Sequence, residues 1–192
     1  MRVLLGCEES ATVREAFRKR GHDAVSCDLL DSRIPGPHYK GDFMDIIDQD
    51  WDLAIFFTPC TYSCNSGVRW MYNPDGSINL KRYQKMIHYA SMIKIVLMSK
   101  IPKVACENPI PHKYALEYIG RKYDQIIHPW QFGHGEQKST CIWLKNLPKL
   151  EPSNIVEGRE QRIWKMPPGP ERSKERSKTY QGIADAMAEQ WG

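Results

Sequence analysis

At 192 residues the chain has the length of one globular domain, enough to bury a core but short of two full-sized domains. Hydrophobic residues make up 41% and charged residues 26%, and no apolar run approaches the ~20 residues of a membrane helix, which excludes a helical membrane-spanning protein and predicts a soluble one. The formal charge of +4 permits contact with a polyanion without demanding it, and it is unevenly spread: from Glu157 to Lys178 seven basic residues stand against four acidic.

The amino terminus, MRVLLGCEES, meets acidic residues after a few apolar ones and lacks the apolar core and cleavage site of a secretory signal, so a cytoplasmic location is expected. Residues 2 to 6 read as a buried strand. Ser10 to Arg20 then read as a helix, with Ala11, Val13, Ala16 and Phe17 near one face and Gly21 as its end. A second strand, residues 23 to 27, stops at Asp28. After the loop SRIPGPHYK and the stretch GDFMDII comes the strongly apolar strand 52 to 57. Residues 78 to 99 carry Leu80, Tyr83, Ile87, Ala90, Ile93 and Leu97 at threes and fours, the spacing of a long amphipathic helix. A strand KVACENP (103 to 109), a helix near 113 to 119, a strand around DQIIH and a strand STCIWL (139 to 144) follow. Pro148, Pro152, Pro167, Pro168 and Pro170 punctuate an irregular basic segment, about 148 to 178, before a closing helix at about 179 to 191. Strand, helix, strand in this order predicts a single α/β domain over 1–192, with a mostly parallel central sheet and helices on both faces.

In open α/β sheets, ligands sit outside the carboxyl ends of the strands. This chain puts Cys7-Glu8-Glu9, Asp28, Asp42, Pro59-Cys60 and Glu107-Asn108-Pro109 at such ends. Asp28 stands where a carboxylate can accept two ribose hydroxyls, although a strand-end acid can also be simply solvated. Cys60 follows a proline that restricts Thr58, at a place where neighbouring amides can favour a thiolate. A packed thiol, half of a Cys60–Cys64 metal site and a nucleophile are all open for it. The six cysteines, Cys7, Cys27, Cys60, Cys64, Cys106 and Cys141, are scattered and are expected as reduced thiols. Glu107, if its strand neighbours the Cys60 strand, faces the same crevice. A nucleophile beside a carboxylic acid is the pairing needed to attack an electron-poor ring and protonate it.

The order of these pieces resembles the S-adenosylmethionine-dependent DNA cytosine methyltransferases that act on ring carbon 5, in particular their short phage-type relatives. The match lies in the first strand-turn-helix ending in Phe17, Asp28, GDFMDI, TPC and ENP, and covers about three quarters of the chain. The resemblance implies a Rossmann-like methyltransferase fold and S-adenosylmethionine as cofactor, in a bacterial or phage-infected cell. It further implies that Cys60 adds to cytosine carbon 6 while Glu107 contacts ring nitrogen 3. Asp28 would bind the cofactor ribose, Asp42 the adenine amino group, and the turn Cys7, Glu8, Glu9 and Ser10 the methionine part. Pro59 precedes the nucleophile beside that site, and the closing YQGIADAM, with Gly182, packs next to it. No metal is implied.

Three departures from the family pattern stand out. The glycine-rich first turn is replaced by Cys7-Glu8-Glu9-Ser10-Ala11-Thr12. A glutamine-arginine-arginine motif survives only as EQKSTC, where Gln137 matches and Ser139 and Cys141 hold the arginine places, so Arg69 or Lys138 would have to stand in. Between Leu147 and Tyr180 lie only about thirty residues where the family inserts a recognition domain. Selectivity is then expected to be short, relaxed, or supplied by a partner protein or self-association. Asn65, Arg69 and Trp70 form a loop suited to an extruded base, and Gln137, Lys138, Arg159 and Arg162, with Trp164 in the basic tail, to a phosphate backbone. Two other readings remain: methylation of a free pyrimidine nucleotide or RNA, and a non-catalytic nucleic-acid-binding protein on the same fold.

Overall fold

The computed structural model describes the chain except residue 168 and the side chains of residues 163, 164, 170, 171, 173 and 174. The break expected at Pro168 and the stacking expected of Trp164 lie outside the described residues. Seven strands form one sheet: β1 (Arg2–Gly6), β2 (Asp23–Asp28), β3 (His38–Lys40), β4 (Leu53–Phe57), β5 (Lys103–Pro109), β6 (Gln125–Ile127) and β7 (Thr140–Lys145). Their order is β3-β2-β1-β4-β5-β7-β6. Neighbours from β3 to β5 are parallel, and β7 runs antiparallel to both β5 and β6.

The apolar runs of β1, β4 and β5 are continuous because both sheet faces are covered, and alternate residues enter opposite cores. Val3, Leu5, Leu53 and Ile55 pack with α1 (Thr12–Lys19) and, at the end of the chain, α6 (Gln181–Gln190), through Phe17, Ile183 and the indole of Trp191. Leu4, Ala54, Phe56 and Val104 face the other way, onto α2 (Leu80–Met98) and α3 (Lys113–Ile119), through Met86, Ala90, Ile93 and Ile119. Among the described residues no helix is long and apolar enough to cross a membrane.

The chain leaves β1 outward to β2 and β3, then returns to place β4 on the other side of β1. The order therefore reverses between β1 and β4, which opens a crevice at their carboxyl ends. Cys7 follows β1 and Pro59-Cys60 follow β4, so the sheet itself brings these two turns together.

Three elements differ from the sequence expectation for physical reasons. Helix α1 starts two residues late because Ala11 is left-handed (φ 60°) and the first turn is capped from outside, by Glu8. The loop SRIPGPHYK ends in β3, a three-residue edge strand too short and polar to show a period. That loop is held by Arg14, fully buried, whose guanidinium donates to Glu15, Ser26, Ser32 and the carbonyls of Ile34, Pro35 and Pro37. The segment read as irregular contains two short helices, α4 (Arg162–Lys165) and α5 (Pro170–Ser177). Helix α5, PERSKERS, has proline at its first position and no apolar stripe, so periodicity could not find it.

Candidate active site

A cavity of about 100 Å³ opens at the β1–β4 crevice. Cys7, Asp28, Asp42 and Pro59 from the sequence-predicted set line it, together with Cys27, Leu29, Gly41 and Phe43. Phe43 is fixed edge-on to Phe56 (5.0 Å between centroids), and Phe56 in turn lies across Gly6, where a Cβ would meet its ring at 2.2 Å. Asp28 Oδ1 accepts from the Leu30 amide (3.0 Å), and its carboxyl is raised, chiefly by burial. Asp42 Oδ1 accepts from the Met44 amide (3.0 Å), capping the 3₁₀ turn Phe43–Asp45. Burial, with the Asp28 carboxylate second, pushes the Cys7 thiol up to about 12, so it is a neutral wall and no nucleophile. An apolar slot with carboxylates at its rim suits a flat ligand bearing hydroxyl and amino donors.

The rest of the first turn is used differently. Glu8, 3% exposed, turns inward: Oε1 accepts from the Val13 amide (2.6 Å) and the Ser10 hydroxyl (3.3 Å), and Oε2 from the Arg14 amide (3.2 Å). A carboxylate thus occupies the positive end of α1, a natural anion position. Glu9 pairs with Arg33, and Gly182 lies against the Phe132 backbone with its amide donating to His134 Nε2 (3.1 Å). Glu8, Glu9, Ser10 and Gly182 are not among the residues lining the cavity.

Beyond Pro59 the chain enters the turn of Cys60. Phe57 pairs with Glu107 in the parallel β4–β5 register, so the two strands deliver Cys60 and Glu107 to one place. Asn108, 1% exposed, holds the turn: its Nδ2 donates to the Thr58 carbonyl (3.1 Å) and hydroxyl (3.0 Å), and its Oδ1 accepts from Ser63 (3.4 Å). Below it, His112 accepts the Ala115 amide at Nδ1 (3.2 Å), so Nε2 carries the proton and donates to the Tyr62 carbonyl (3.0 Å). Burial raises the Glu107 carboxyl, against the opposing pull of the Lys138 charge and the Thr140 hydroxyl, which favours the protonated acid.

Cys64 returns onto Cys60, its amide donating to the Cys60 carbonyl (3.1 Å). The two thiols act as a pair. Hydrogen bonding to Cys60 draws the Cys64 thiol down to about 5, helped by the Ser66 hydroxyl, the Arg176 guanidinium and the Gly67 amide against burial. The same bond, with burial, keeps the shared proton on Cys60. The pair therefore gives up its first proton well below the usual thiol range, and Cys64 is placed to accept the Cys60 proton. Arg176 Nη2 lies 4.0 Å from Cys60 Sγ. Among the described residues no group of three or more histidine, cysteine or carboxylate side chains is placed to hold a metal ion.

The residues read as nucleic-acid contacts separate into two sets. Asn65, Arg69 and Trp70 are exposed on the 3₁₀ segment Asn65–Met71 next to Cys60, with Arg69 over the Trp70 ring (4.6 Å). Trp70 also lines an open groove of about 490 Å³ with Tyr62, Asn79, Lys81, Arg82 and Lys85, which none of the sequence motifs marked. Gln137 is exposed, whereas Lys138 Nζ donates to the carbonyls of Arg176 (2.7 Å) and Lys178 (3.5 Å). Arg159 stacks over Trp130 (3.8 Å), and Arg162 pairs with Glu136 (3.1 Å) and Glu175 (3.5 Å). Asn108, Phe43 and Leu29 lie in or beside quoted motifs without a role, Cys64 reads in the sequence only as a possible metal ligand, and Arg176 lies in a charge run that reads only as a phosphate patch.

No protein-family model and no curated protein matches the chain. Among solved structures it is similar to a protein described as a DNA modification methyltransferase encoded within a prophage of E. coli, at 14% identity and TM-score 0.51, over 88% of this chain and 55% of that one. It is also similar to the Entamoeba histolytica methyltransferase EhMeth, at 13% identity and TM-score 0.49, over 84% of this chain and 57% of that one. The S. pombe Dnmt2 methyltransferase gives 14% identity and TM-score 0.46, over 78% and 51%. The chain spans a little over half the length of each of these proteins. With the strand order and the antiparallel β7, the first of these likenesses shows that the chain has the Rossmann-like methyltransferase fold.

Proposed function

We propose that this protein transfers a methyl group from S-adenosylmethionine to carbon 5 of cytosine in DNA. The observation that carries the reading is the β4–β5 register, which brings the Cys60 turn beside Glu107, whose burial favours the acid form, next to a cavity lined by Asp28, Asp42 and Phe43. Asp28, Asp42, Phe43 and Leu29 would hold the cofactor's adenosine, and the cofactor supplies an electrophilic sulfonium methyl. Because Glu8 already accepts from the first amides of α1, a bound cofactor's carboxylate would have to be held by other residues.

The protein's part is addition and release. As the Cys60 sulfur forms its bond to ring carbon 6, its proton passes to the hydrogen-bonded Cys64 sulfur, while nitrogen 3 takes the Glu107 proton. The electron pair of the former carbon 5–carbon 6 double bond then enriches carbon 5, the position to be methylated. Loss of the carbon-5 proton to a base expels the Cys60 sulfur as thiolate, and nitrogen 3 returns its proton to the Glu107 carboxylate, which restores the ring. The exposed Asn65, Arg69 and Trp70 edge is the surface against which an extruded base would stack.

Duplex DNA carrying 5-fluorodeoxycytidine tests this, because fluorine cannot leave as a proton does and the adduct persists. With S-adenosylmethionine present, a denaturation-resistant protein–DNA species mapping to Cys60 is expected. Cys60→Ala should form none while binding cofactor nearly as well, and an adduct that persists in Cys60→Ala would overturn the assignment. The length between Leu147 and Tyr180, with no inserted recognition domain, favours one second reading, a free pyrimidine nucleotide or RNA as acceptor, and the same fluorinated base in those acceptors separates the two.

A further inference from the structure

The arginines missing from EQKSTC leave the reacting sulfur without a cation on β7, yet a cation is there. Helix α5 returns across the site and brings Arg176 Nη2 to 4.0 Å from Cys60 Sγ. Its placement is secured twice over. Lys138 donates to the carbonyl of Arg176 itself (2.7 Å) and to that of Lys178, holding the carboxyl end of the helix where free carbonyls gather. The preceding residue, Glu175, is tied by Arg162 (3.5 Å) and Lys178 (2.5 Å), and Arg162 is tied in turn to Glu136 (3.1 Å). Glu136 also accepts from the Tyr180 hydroxyl (2.8 Å).

We propose that Arg176 is a catalytic residue of this site, delivered by α5 as the cation that faces the Cys60 sulfur and stabilises the negative charge that develops there as its proton leaves. Lys138 is a positioning residue that acts through it. The inference rests on the reading of Cys60 as the nucleophile. Among the described residues, the charged and titratable groups that act on Cys60 are Cys64 on its own turn, Glu107 on β5 and Arg176 on α5. Cys64 and Glu107 each disfavour a negative Cys60, and Arg176 alone among these three favours it. The charge run in the tail thus has a local task beside the phosphate backbone.

The test is the pH dependence of iodoacetamide alkylation at Cys60, followed by peptide mass, in the full chain without cofactor or DNA. Arg176→Met should move the inflection to higher pH and slow alkylation at neutral pH about tenfold, the change expected for one pH unit of displacement. Arg176→Lys should restore part of the rate. Lys138→Met, which releases the helix without touching the sulfur, should shift the curve the same way. Superimposable curves for the wild type and Arg176→Met would overturn the proposal, as would a shift that Arg176→Lys does not partly reverse. Methyl transfer is scored separately: a shifted curve in a protein that methylates no acceptor would sink the methyltransferase reading and leave the role of Arg176 at the thiol standing.

Discussion

Glu8 spends its charge on the first turn of α1, where burial lifts its carboxyl from 4.5 to about 7 against the hydrogen bonds from Val13, Arg14 and Ser10. The folded chain then keeps a proton that the unfolded chain has already lost between these two values. The stability this group contributes is accordingly fully present below pH 4.5 and is lost as pH rises to 7, by about 3 kcal/mol. Glu107 and Asp28, also raised by burial, act in the same direction. Denaturant midpoints at the two ends of this window should show the fall in the wild type and a smaller one in Glu8→Gln; equal slopes would show that Glu8 is not the source. Arg14 teaches a related lesson about single residues. In the sequence it is one more cation on an amphipathic helix, because its partners are carbonyls of a loop some twenty residues away, and only the fold discloses that it is buried.

Among the elements, the turn after β4 depends on the strand beside it. Replacing Asn108 by Ala removes both donors to Thr58 and the acceptor for Ser63, leaving buried polar groups unpaired at a cost of about 1 to 3 kcal/mol. Urea unfolding should show that loss, and the Cys60 turn, no longer clamped, should lose kcat more than cofactor affinity. Helix α6 meets a different constraint: a Cβ on Gly182 would lie 1.8 Å from the Phe132 carbonyl oxygen, a rigid backbone atom. Gly182→Ala should therefore cost about 1 to 3 kcal/mol by forcing α6 off the sheet, with the thermal midpoint falling accordingly. The apolar strands and long helices were legible in the sequence because both faces of the sheet are buried and their periods are unbroken. HYK was not, since pairing with β2 rather than composition makes it a strand. TPC and ENP marked Cys60 and Glu107, but their adjacency is a matter of register, and the return of α5 onto Cys60 is written in ion pairs that carry no period.

For the molecule as a whole, the strand order places the cavity, the thiol pair and the acid along the carboxyl edge of one sheet. The cavity lined by Cys7, Asp28 and Asp42 lies at the ends of β1 and β2, the thiol pair and acid at the ends of β4 and β5, and α5 returns to the thiol through Arg176. Only about thirty residues lie between Leu147 and Tyr180, so on the proposed reading methylation should follow cytosine in a short or relaxed context. The most direct measurement is transfer of labelled methyl from S-adenosylmethionine to duplex DNA, single-stranded DNA, RNA and free deoxycytidine nucleotides, with Cys60→Ala alongside. The account predicts label at carbon 5 of DNA cytosine that vanishes in the variant; label that survives in Cys60→Ala, or no label in any acceptor, would contradict it.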